Sequence, residues 1–353
     1  MKKGLASDNY AGVLPEMLEA IAEANRFHAK SYGYDDFTEK AKQEFAKHFG
    51  SDVEVTFVFN GTGANVLGIG CATESFNSIL CADTSHLYVD ESTAPETFTG
   101  CRLIPLATDG DGKIEIETIR NSIIRKGDEH YPQIKVFSIA QPTEYGTVYT
   151  REELLAVSKL LKEHNFVFHM DGARLFNAAV SLKCSLKEMT RDVGIDILSV
   201  GGTKIGLLFG EAVVFFGDKY SQNLRYRQKQ SMQLPSKMRF IAAQFHKLLR
   251  DEIWVKSATH ANEMATRLFD GVKDIQKIKI TRTVQANSVF AIIPAEWNKL
   301  LQDQTSFHIW NEMTNEVRWM CAFDTEEKDV DEFVLLMREL DNIKKDVYHR
   351  TFT

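Results

Sequence analysis

A lysine stands in a glycine turn directly behind a short apolar run. Residues 197–200, ILSV, are typical of a buried strand, and GGTKIG follows them with Lys204 inside the turn. Lysine is rarely buried without a partner, so a lysine among apolar neighbours is a candidate nucleophile. The alternative is a side chain that extends from the strand end to solvent. The residues around Lys204 leave both possibilities open.

A second apolar run ends in a carboxylate. Residues 166–170, FVFHM, predict a buried strand, and the sequence DGAR follows it, which contributes Asp171 and Arg174. Ligands of open α/β sheets bind at the carboxyl ends of strands, which makes Asp171 a candidate contact; a helix N-cap is the alternative. His169 is expected in the core, on the sheet face opposite Met170 and away from the neighbours of Asp171.

A glycine turn joins a predicted strand at residues 53–59 to a helix predicted over residues 66–73. This turn, NGTGAN, directs backbone N–H groups and the positive end of a helix dipole towards a possible phosphate. It matches neither a P-loop nor a G-x-G-x-x-G motif, because no Lys-Ser/Thr pair closes it and Val66 takes the third glycine position. A tight turn without a ligand is therefore the alternative.

One cofactor would use all of these features together with His86, which follows a further predicted strand. Pyridoxal phosphate needs a lysine that forms a Schiff base, a carboxylate beside its ring nitrogen, a phosphate cradle and a flat group against its ring. The sequence offers one candidate for each of these, in the same order: Lys204, Asp171, the turn at Gly61 and Thr62, and His86. The combination predicts a pyridoxal-phosphate enzyme, although a loop histidine without a role remains the alternative for His86.

The elements that must position these residues alternate between strands and helices through the first two-thirds of the chain. This order predicts an α/β fold with a large, mostly parallel sheet covered on both faces. A long helical pattern over residues 240–271 leads to a smaller α+β region with strands at 277–282, 288–293 and 316–322. We predict a large domain over residues 1–248, including an N-terminal arm, and a small domain over residues 249–353. Trp297, Trp310 and Trp319 are expected in the small-domain core.

Composition narrows the class of protein. The 353 residues carry a formal net charge of −7 without a basic run, so neither nucleic acid nor an acidic membrane is an expected partner. The five cysteines are scattered, odd in number and never spaced as C-x-x-C, which favours a reducing compartment and predicts no metal site. The sequence shows no signal-peptide pattern and no membrane-spanning run. A cytoplasmic protein is expected.

The motifs resemble those of the threonine aldolase and β-eliminating lyase family of pyridoxal-phosphate enzymes, which has the aspartate-aminotransferase fold. Within that family the chain looks most similar to the phenylserine-aldolase-like branch, and the resemblance extends over nearly the whole chain. Its most specific pieces are HMDGARLFNA, GGTKIG, NGTGAN and ADTSH. Weaker similarities are ASDN near Ser7, SYGYDD near Tyr32, SKMRF near Arg239 and EVRWM around Arg318.

The resemblance implies a role at the cofactor for each matching residue. Lys204 would be the Schiff-base lysine, and Asp171 would pair with the pyridinium nitrogen. Gly61 and Thr62 would hold the phosphate. His86 would stack on the ring and take part in proton transfer.

Further residues are implied at the substrate. Arg174 would lie near the cofactor hydroxyl and the substrate carboxylate. Arg318, with Ser7, would clamp the α-carboxylate, because an arginine fork binds both oxygens; an exposed strand arginine is the alternative for Arg318. The resemblance also suggests a homo-oligomer, a dimer or a dimer-built tetramer, with active sites at the subunit interface. The arm from Ser7 and the Tyr32 loop would then serve a neighbouring site.

Two stretches depart from the family pattern. Family members often have a Glu-Asn-Thr-His-Asn-like run after the strand that here ends at Ala140, whereas this chain has QPTEY, with Glu144 at the histidine position. Glu144 could replace that histidine as a base. The glycine-rich run before Arg239 is replaced by QLPSK, so a phosphate contact from Arg239 or Lys229, across a subunit interface, is only a suggestion.

The implied reaction is the retro-aldol cleavage of a β-hydroxy-α-amino acid, of the threonine, allo-threonine or phenylserine type, to glycine and an aldehyde. A different pyridoxal-phosphate reaction, namely β-elimination, transamination or racemisation, is the first alternative, because one fold supports many chemistries. The second is a nucleotide-binding α/β protein that uses the Gly61 turn without covalent chemistry. The side-chain preference at Cβ depends on pocket shape, which the sequence does not give.

Overall fold

The larger of two sheets has seven strands. The structure, a computed structural model, describes residues 3–350, with side chains from residue 3 to 342. The strands are β1 (Val53–Val58), β2 (Asn77–Ala82), β3 (Arg102–Leu106), β4 (Gln133–Ala140), β5 (Val167–Gly172), β6 (Ile197–Val200) and β7 (Glu211–Phe216). Their order is β1-β7-β6-β5-β4-β2-β3, and β7 alone runs antiparallel to both of its neighbours. The predicted large, mostly parallel sheet is therefore confirmed.

Helices cover both faces of this sheet. They are α1 (Pro15–Ala24), α2 (Asp36–Phe49), α3 (Gly61–Ala72), α4 (His86–Val89), α5 (Ala94–Thr99), α6 (Ile116–Ser122), α7 (Arg151–His164), α8 (Leu175–Leu182), α9 (Leu186–Met189), α10 (Leu224–Gln230), α11 (Arg239–Arg250) and α12 (Ile253–Val272). Of these, α3 begins five residues before its predicted start, because Asn60 caps it by accepting a hydrogen bond from the Gly63 N–H at 2.8 Å. The glycines of the turn therefore form the first turn of a helix.

Two layers of apolar side chains sandwich the sheet. Phe168 and Met170 of β5 belong to the larger core, whereas Val167 belongs to the core beneath α3. Since successive strand residues point to opposite faces, His169 and Asp171 lie on the α3 face together with Val167. The expectation that His169 points away from the neighbours of Asp171 is wrong, because residues two apart in a strand share a face.

The predicted long helix over residues 240–271 is two helices. α11 ends at Arg250, and Glu252 adopts a left-handed conformation with φ of 50° before α12 begins. α12 packs against α8 of the larger layer on one side. On the other side it packs against α14 (Glu327–Arg350), so it connects the two regions of the molecule.

The smaller region is built on an antiparallel sheet with its own core. Its strands are β8 (Lys279–Ile280), β9 (Ser288–Ile292), β10 (His308–Asn311) and β11 (Glu316–Met320), ordered β10-β11-β9-β8, and α13 (Trp297–Gln302) lies beside them. Leu5 of the N-terminal arm packs into this core and hydrogen-bonds Ser306 and Met320 at 2.7 and 2.8 Å. The division at residue 248 stays a prediction. None of the helices within residues 3–350 is long and apolar enough to cross a membrane.

Candidate active site

A cavity of about 380 Å³ opens at the carboxyl ends of the parallel strands, and the N-terminal arm and β11 close its far side. Ligand sites of α/β sheets lie at this edge. The structure brings most of the predicted site residues together here. Those that line the cavity are Ser7, Gly61, Thr62, His86, Glu144, Asp171, Arg174, Lys204 and Arg318.

Two of the predicted residues, Tyr32 and Arg239, do not line this cavity. The Tyr32 N–H donates to the Ser236 carbonyl at 2.9 Å, and the Lys229 ammonium lies 5.3 Å from the Tyr32 ring. Arg239 donates from Nε to the Ala24 carbonyl at 3.1 Å. Within one chain these residues are therefore held elsewhere, and their contribution to a neighbouring subunit's site stays a prediction.

Lys204 lies in a short 3₁₀ turn that follows β6 and lies next to the end of β5. The Gly201 N–H donates to the Gly172 carbonyl at 3.0 Å, which continues the β5–β6 pairing into the turn. A side chain at Gly201 would collide with the Ala173 carbonyl, so only glycine permits this close approach. The glycine turn therefore places the lysine beside the strand end that carries Asp171.

Glu211, which sequence reasoning missed, anchors the lysine turn from the adjacent strand. It is buried at the start of β7, lines the same cavity and accepts hydrogen bonds from the Gly202 N–H and from Thr203. Burial raises its pKa to about 7, although these hydrogen bonds and the charge of Lys204 act in the opposite direction. The available signal was a glutamate as the first residue of the apolar run EAVVFF.

Neutral hydrogen-bond donors hold Asp171. Asn65 donates from Nδ2 to Asp171 Oδ2 at 2.8 Å, and the Ala173 N–H donates to Oδ1 at 3.0 Å. The nearby His169 bonds the hydroxyls of Ser138 and Ser199 at 2.8 and 3.3 Å, and burial lowers the pKa of His169 to about 4. His169 is therefore uncharged near neutral pH, and the charge of Asp171 stays available to a ligand.

A buried glutamate connects His86 to the same network. Glu91 Oε1 lies 2.9 Å from His86 Nδ1 and accepts a hydrogen bond from Asn65 Nδ2 at 2.9 Å. The hydrogen bond to Glu91 raises the pKa of His86 against the effect of burial, and the charges of Asp171 and Glu144 add to it. Sequence reasoning missed both residues: Asn65 bonds Asp171, 106 residues away, and nothing in the sequence marks Glu91, five residues after His86, as buried.

Arg174 already has a carboxylate partner, which sequence reasoning also missed. Its Nε and Nη2 donate to the two oxygens of Asp8 at 2.6 and 2.9 Å, and Asn287 donates to Asp8 at 3.1 Å. Burial raises the pKa of Asp8, but the charge of Arg174 and its hydrogen bonds lower it to about 2. Asp8 stands next to Ser7 in the ASDN motif, and the pair fixes the arm to the large sheet.

Arg318 lines the cavity without a carboxylate partner among residues 3–342. Its Nη2 lies 3.4 Å from the Ala6 carbonyl, and its Nε has no hydrogen-bond partner among residues 3–342. The side chain is partly buried and lines the cavity, which excludes an exposed strand arginine. Ser7, beside it, caps the short turn at residues 8–10 by accepting a hydrogen bond from the Asn9 N–H at 3.2 Å.

Glu144 lies in the loop after β4 and lines the cavity with its side chain partly buried. Its charge contributes to raising the pKa of both His86 and Arg174. It therefore lies within electrostatic reach of a group on each side of the cavity.

The sheet order and the lysine turn at the parallel strand ends define an enzyme of the aspartate-aminotransferase-like fold. The threonine aldolase of Leishmania major superposes with a TM-score of 0.91 at 27% identity, over 96% of this chain and 99% of that one. A NifS-like protein of Rickettsia africae, at 13% identity, shares the fold with a TM-score of 0.73, over 97% of this chain and 100% of that one. The predicted fold class is confirmed.

The sequence comparisons narrow this class to a family. A family profile described as β-eliminating lyase matches residues 4–296, and the chain belongs to that family. The low specificity L-threonine aldolase of a Pseudomonas species is 40% identical over 94% of this chain and 96% of its own length. Its Pseudomonas aeruginosa counterpart is 40% identical over 91% and 93%. The predicted threonine aldolase and β-eliminating lyase family is thus confirmed, and so is the predicted carbon–carbon lyase class; the phenylserine-aldolase-like branch stays a prediction.

Proposed function

We propose that this chain binds pyridoxal phosphate and cleaves β-hydroxy-α-amino acids between Cα and Cβ, which gives glycine and an aldehyde. The observation that carries the proposal is that Lys204 and Asp171 face one cavity with the N-terminus of α3 at Gly61 and Thr62. Threonine, allo-threonine and phenylserine are the proposed substrate types. The names of the Pseudomonas and Leishmania relatives support this substrate class.

The residues present fit the cofactor. The first N–H groups of a helix have no intrahelical partner, and the space around the Cα of Gly61 is open, so a phosphate can approach Gly61 and Thr62. Lys204 would bind the cofactor covalently, Asp171 would hold its ring nitrogen and His86 would lie against its ring. When bound, pyridoxal phosphate withdraws electrons from the substrate Cα, which makes a bond at that carbon easier to break.

The charges of the described residues suit this arrangement. Asp171 is held by the neutral donors Asn65 and Ala173, and His169 beside it is uncharged near neutral pH. A protonated ring nitrogen would therefore find an unpaired carboxylate. Glu91 keeps His86 in its protonated form to higher pH than usual, so His86 could donate a proton at the cavity.

The arm side of the cavity would orient the substrate. Arg174 is bound to Asp8 through both carboxylate oxygens, so we propose that Arg318, assisted by Ser7, binds the substrate α-carboxylate with its planar fork. Arg174 would then hold the arm closed and lie near the cofactor hydroxyl. Glu144 is the proposed base for the β-hydroxyl proton, because it lines the cavity and stands at the position where family members often have a histidine.

We also propose that the chain forms a homo-oligomer whose interface completes the site. Tyr32 and Arg239 would then contact the cavity of a second subunit, because in their own chain they bond Ser236 and Ala24 outside it. Cross-linking and light scattering of the purified protein would detect the oligomer. A monomer with full activity would contradict this part of the proposal.

The test combines a spectrum with product identification. The purified protein is mixed with pyridoxal phosphate and assayed against threonine, allo-threonine and phenylserine. We expect a visible absorbance band and the formation of glycine. Lys204→Ala should abolish both, whereas Lys219→Ala, at an exposed lysine outside the cavity, should change neither.

Two outcomes would contradict the proposal. A protein that stays colourless with added cofactor would rule out pyridoxal phosphate and revive a nucleotide-binding role for the Gly61 turn. A coloured protein that releases pyruvate and ammonia, or that needs glutamate for turnover, would assign β-elimination or transamination instead.

A further inference from the structure

Arg318 is held in the cavity mainly by an aromatic ring. Its guanidinium carbon lies 5.0 Å from the centre of the Trp310 ring. Its one hydrogen bond within residues 3–342, to the Ala6 carbonyl, is long at 3.4 Å, and its Nε has no partner. A cation on an aromatic face is attracted without using its N–H groups. The terminal Nη groups of Arg318 therefore remain available to a carboxylate.

The position of Trp310 follows from an irregularity in the small sheet. The pairing of β10 with β11 shifts register between Ile309 and Asn311, which places Trp310 at a bulge. Bulges change the direction of a side chain and recur next to binding sites. Trp297 and Trp319 are core residues, as predicted from the sequence. Trp310 was predicted in the core as well, but it is only partly buried.

Two further rings connect Trp310 to the loop after β4. Phe290 of β9 meets Trp310 edge-on at 5.4 Å, and Tyr145 contacts Phe290 at 5.7 Å and Trp310 at 6.2 Å. We call Tyr145, Phe290 and Trp310 the aromatic cluster. Since Tyr145 directly follows Glu144, the aromatic cluster joins the loop after β4 to the strand that carries Arg318.

We propose that Trp310 is a positioning residue that holds Arg318 in place for the α-carboxylate of the amino-acid substrate. Through Tyr145, the same ring keeps Arg318 in a fixed relation to the Glu144 loop. This inference rests on the proposed function. It differs from a core role, because a core tryptophan would affect folding but not the affinity for a carboxylate.

The experiment compares Trp310→Leu, Trp310→Phe and Trp297→Leu. The Lys277 ammonium lies 5.7 Å from the centre of the Trp297 ring, so Trp297 also contacts a cation in the small region. Because Trp297 lies outside the cavity, it is a matched control. We expect Trp310→Leu to raise KM on the order of tenfold with little change in kcat. Trp310→Phe should give an intermediate KM, because it keeps an aromatic face, and Trp297→Leu should leave KM unchanged.

A second readout does not need turnover. Glycine, which carries the same α-carboxylate, is titrated against each cofactor-loaded variant and its dissociation constant is measured from the spectral change. The proposal predicts weaker glycine binding in Trp310→Leu with an unaltered cofactor spectrum. If the wild type binds glycine but cleaves no β-hydroxy amino acid, the proposed function fails while the Trp310 comparison still stands.

Equal KM and equal glycine affinity in Trp310→Leu and the wild type would overturn the proposal. So would a Trp310→Phe variant that binds as poorly as Trp310→Leu, because the aromatic face would then be irrelevant. If Trp310→Leu does not fold, Trp310→Phe decides alone: weaker glycine binding at unchanged kcat supports the proposal, and unchanged binding overturns it.

Discussion

The two sides of the cavity are built in different ways. The sheet side contains a hydrogen-bonded network of Asn65, His86, Glu91 and Asp171 on the large sheet and α3. Beside it lies Lys204, in the turn that Glu211 anchors through the Gly202 N–H. The arm side is assembled from segments far apart in the chain, and it comprises Ser7, Asp8, Arg174 and Arg318, with the Glu144 loop beside them. Hydrogen bonds fix the sheet side, whereas an ion pair and an aromatic face fix the arm side.

This difference separates the two tasks of the proposed enzyme. The sheet side would hold the cofactor, whose demands do not change with substrate, and a rigid sheet suits that task. The arm side would decide which substrate binds and which bond is aligned, and packing between segments can vary there without disturbing the sheet. Substitutions on the sheet side should therefore reduce the reaction rate, and those on the arm side should change stability and substrate affinity.

The largest effect is expected from Asp171→Asn on the sheet side. The substitution keeps the shape but removes the negative charge that would face the ring nitrogen of the proposed cofactor, so kcat should fall about a hundredfold or more, as for loss of a preorganised electrostatic group. Steady-state kinetics at saturating cofactor measure it. Asp196→Asn, at the opposite end of the sheet, is the matched control and should retain activity. Near-normal kcat in Asp171→Asn would show that the sheet side does not supply this charge.

Asp8→Asn tests the ion pair of the arm side. It leaves the guanidinium of Arg174 largely buried without its partner, which should lower the free energy of unfolding by about 3 kcal/mol. Because the pKa of Asp8 falls from 3.8 to about 2 on folding, its contribution is present above pH 3.8 and is lost as the pH falls through about 2. Denaturant unfolding at several pH values checks this.

The exposed pair of Arg191 with Asp52 provides the control for that experiment. Asp52→Asn should cost less than about 1 kcal/mol, because exposed ion pairs contribute little. If Asp8→Asn costs no more than Asp52→Asn, the arm is not held by the Arg174 pair.

Glu91→Gln tests the link between His86 and the sheet side. Without the glutamate charge the pKa of His86 should fall, so the limb of the pH–rate profile that His86 controls should move to lower pH. A rate loss of about tenfold is expected, the value of one hydrogen bond to a charged group. NMR titration of His86 follows the shift directly. Glu129→Gln, exposed and outside the cavity, should leave the profile unchanged.

The last test on the sheet side is Glu211→Gln, measured as stability against pH. The folded state raises the pKa of Glu211 from 4.5 to about 7, so the protonated carboxyl stabilises the fold below pH 4.5 and this benefit is lost as pH rises through 7. Glutamine stays neutral, so the variant should gain on the wild type by about 3 kcal/mol between pH 5 and pH 8. A difference that stays constant with pH would contradict a titrating Glu211.

Sequence reasoning found the sheet side better than the arm side. Lys204 and Asp171 each stand at the end of an apolar run, and parallel strands bring such ends to one edge, so local pattern predicts their meeting. Asp8 and Arg174 are 166 residues apart, and nothing local marks an aspartate beside Ser7 as the partner of that arginine. Contacts of this kind depend on how separate segments pack, which periodicity does not encode.

The same limit applies to the fold. The strands β1 and β5 were predictable from runs of β-branched and aromatic residues. The pattern of Thr150 with Glu153 three residues later is typical of a helix cap, and its two reciprocal hydrogen bonds are present at α7. The break between α11 and α12 was not predictable, because the residue that adopts the left-handed conformation there is Glu252, and neither glycine nor proline marks the position. β10 was missed because its side chains are mostly exposed, which leaves a weak alternation.

The attachment of the N-terminal arm has a consequence for biosynthesis. A ribosome makes Leu5 and Asp8 well before Asn287, which hydrogen-bonds Asp8 and emerges 279 residues later, and the Ser306 and Met320 partners of Leu5 come later still. The arm must therefore wait, without these partners, until those residues have been translated. The arm can complete the cavity only after Asn287, Ser306 and Met320 have been made, and a fusion tag placed just ahead of Leu5 would lie beside it.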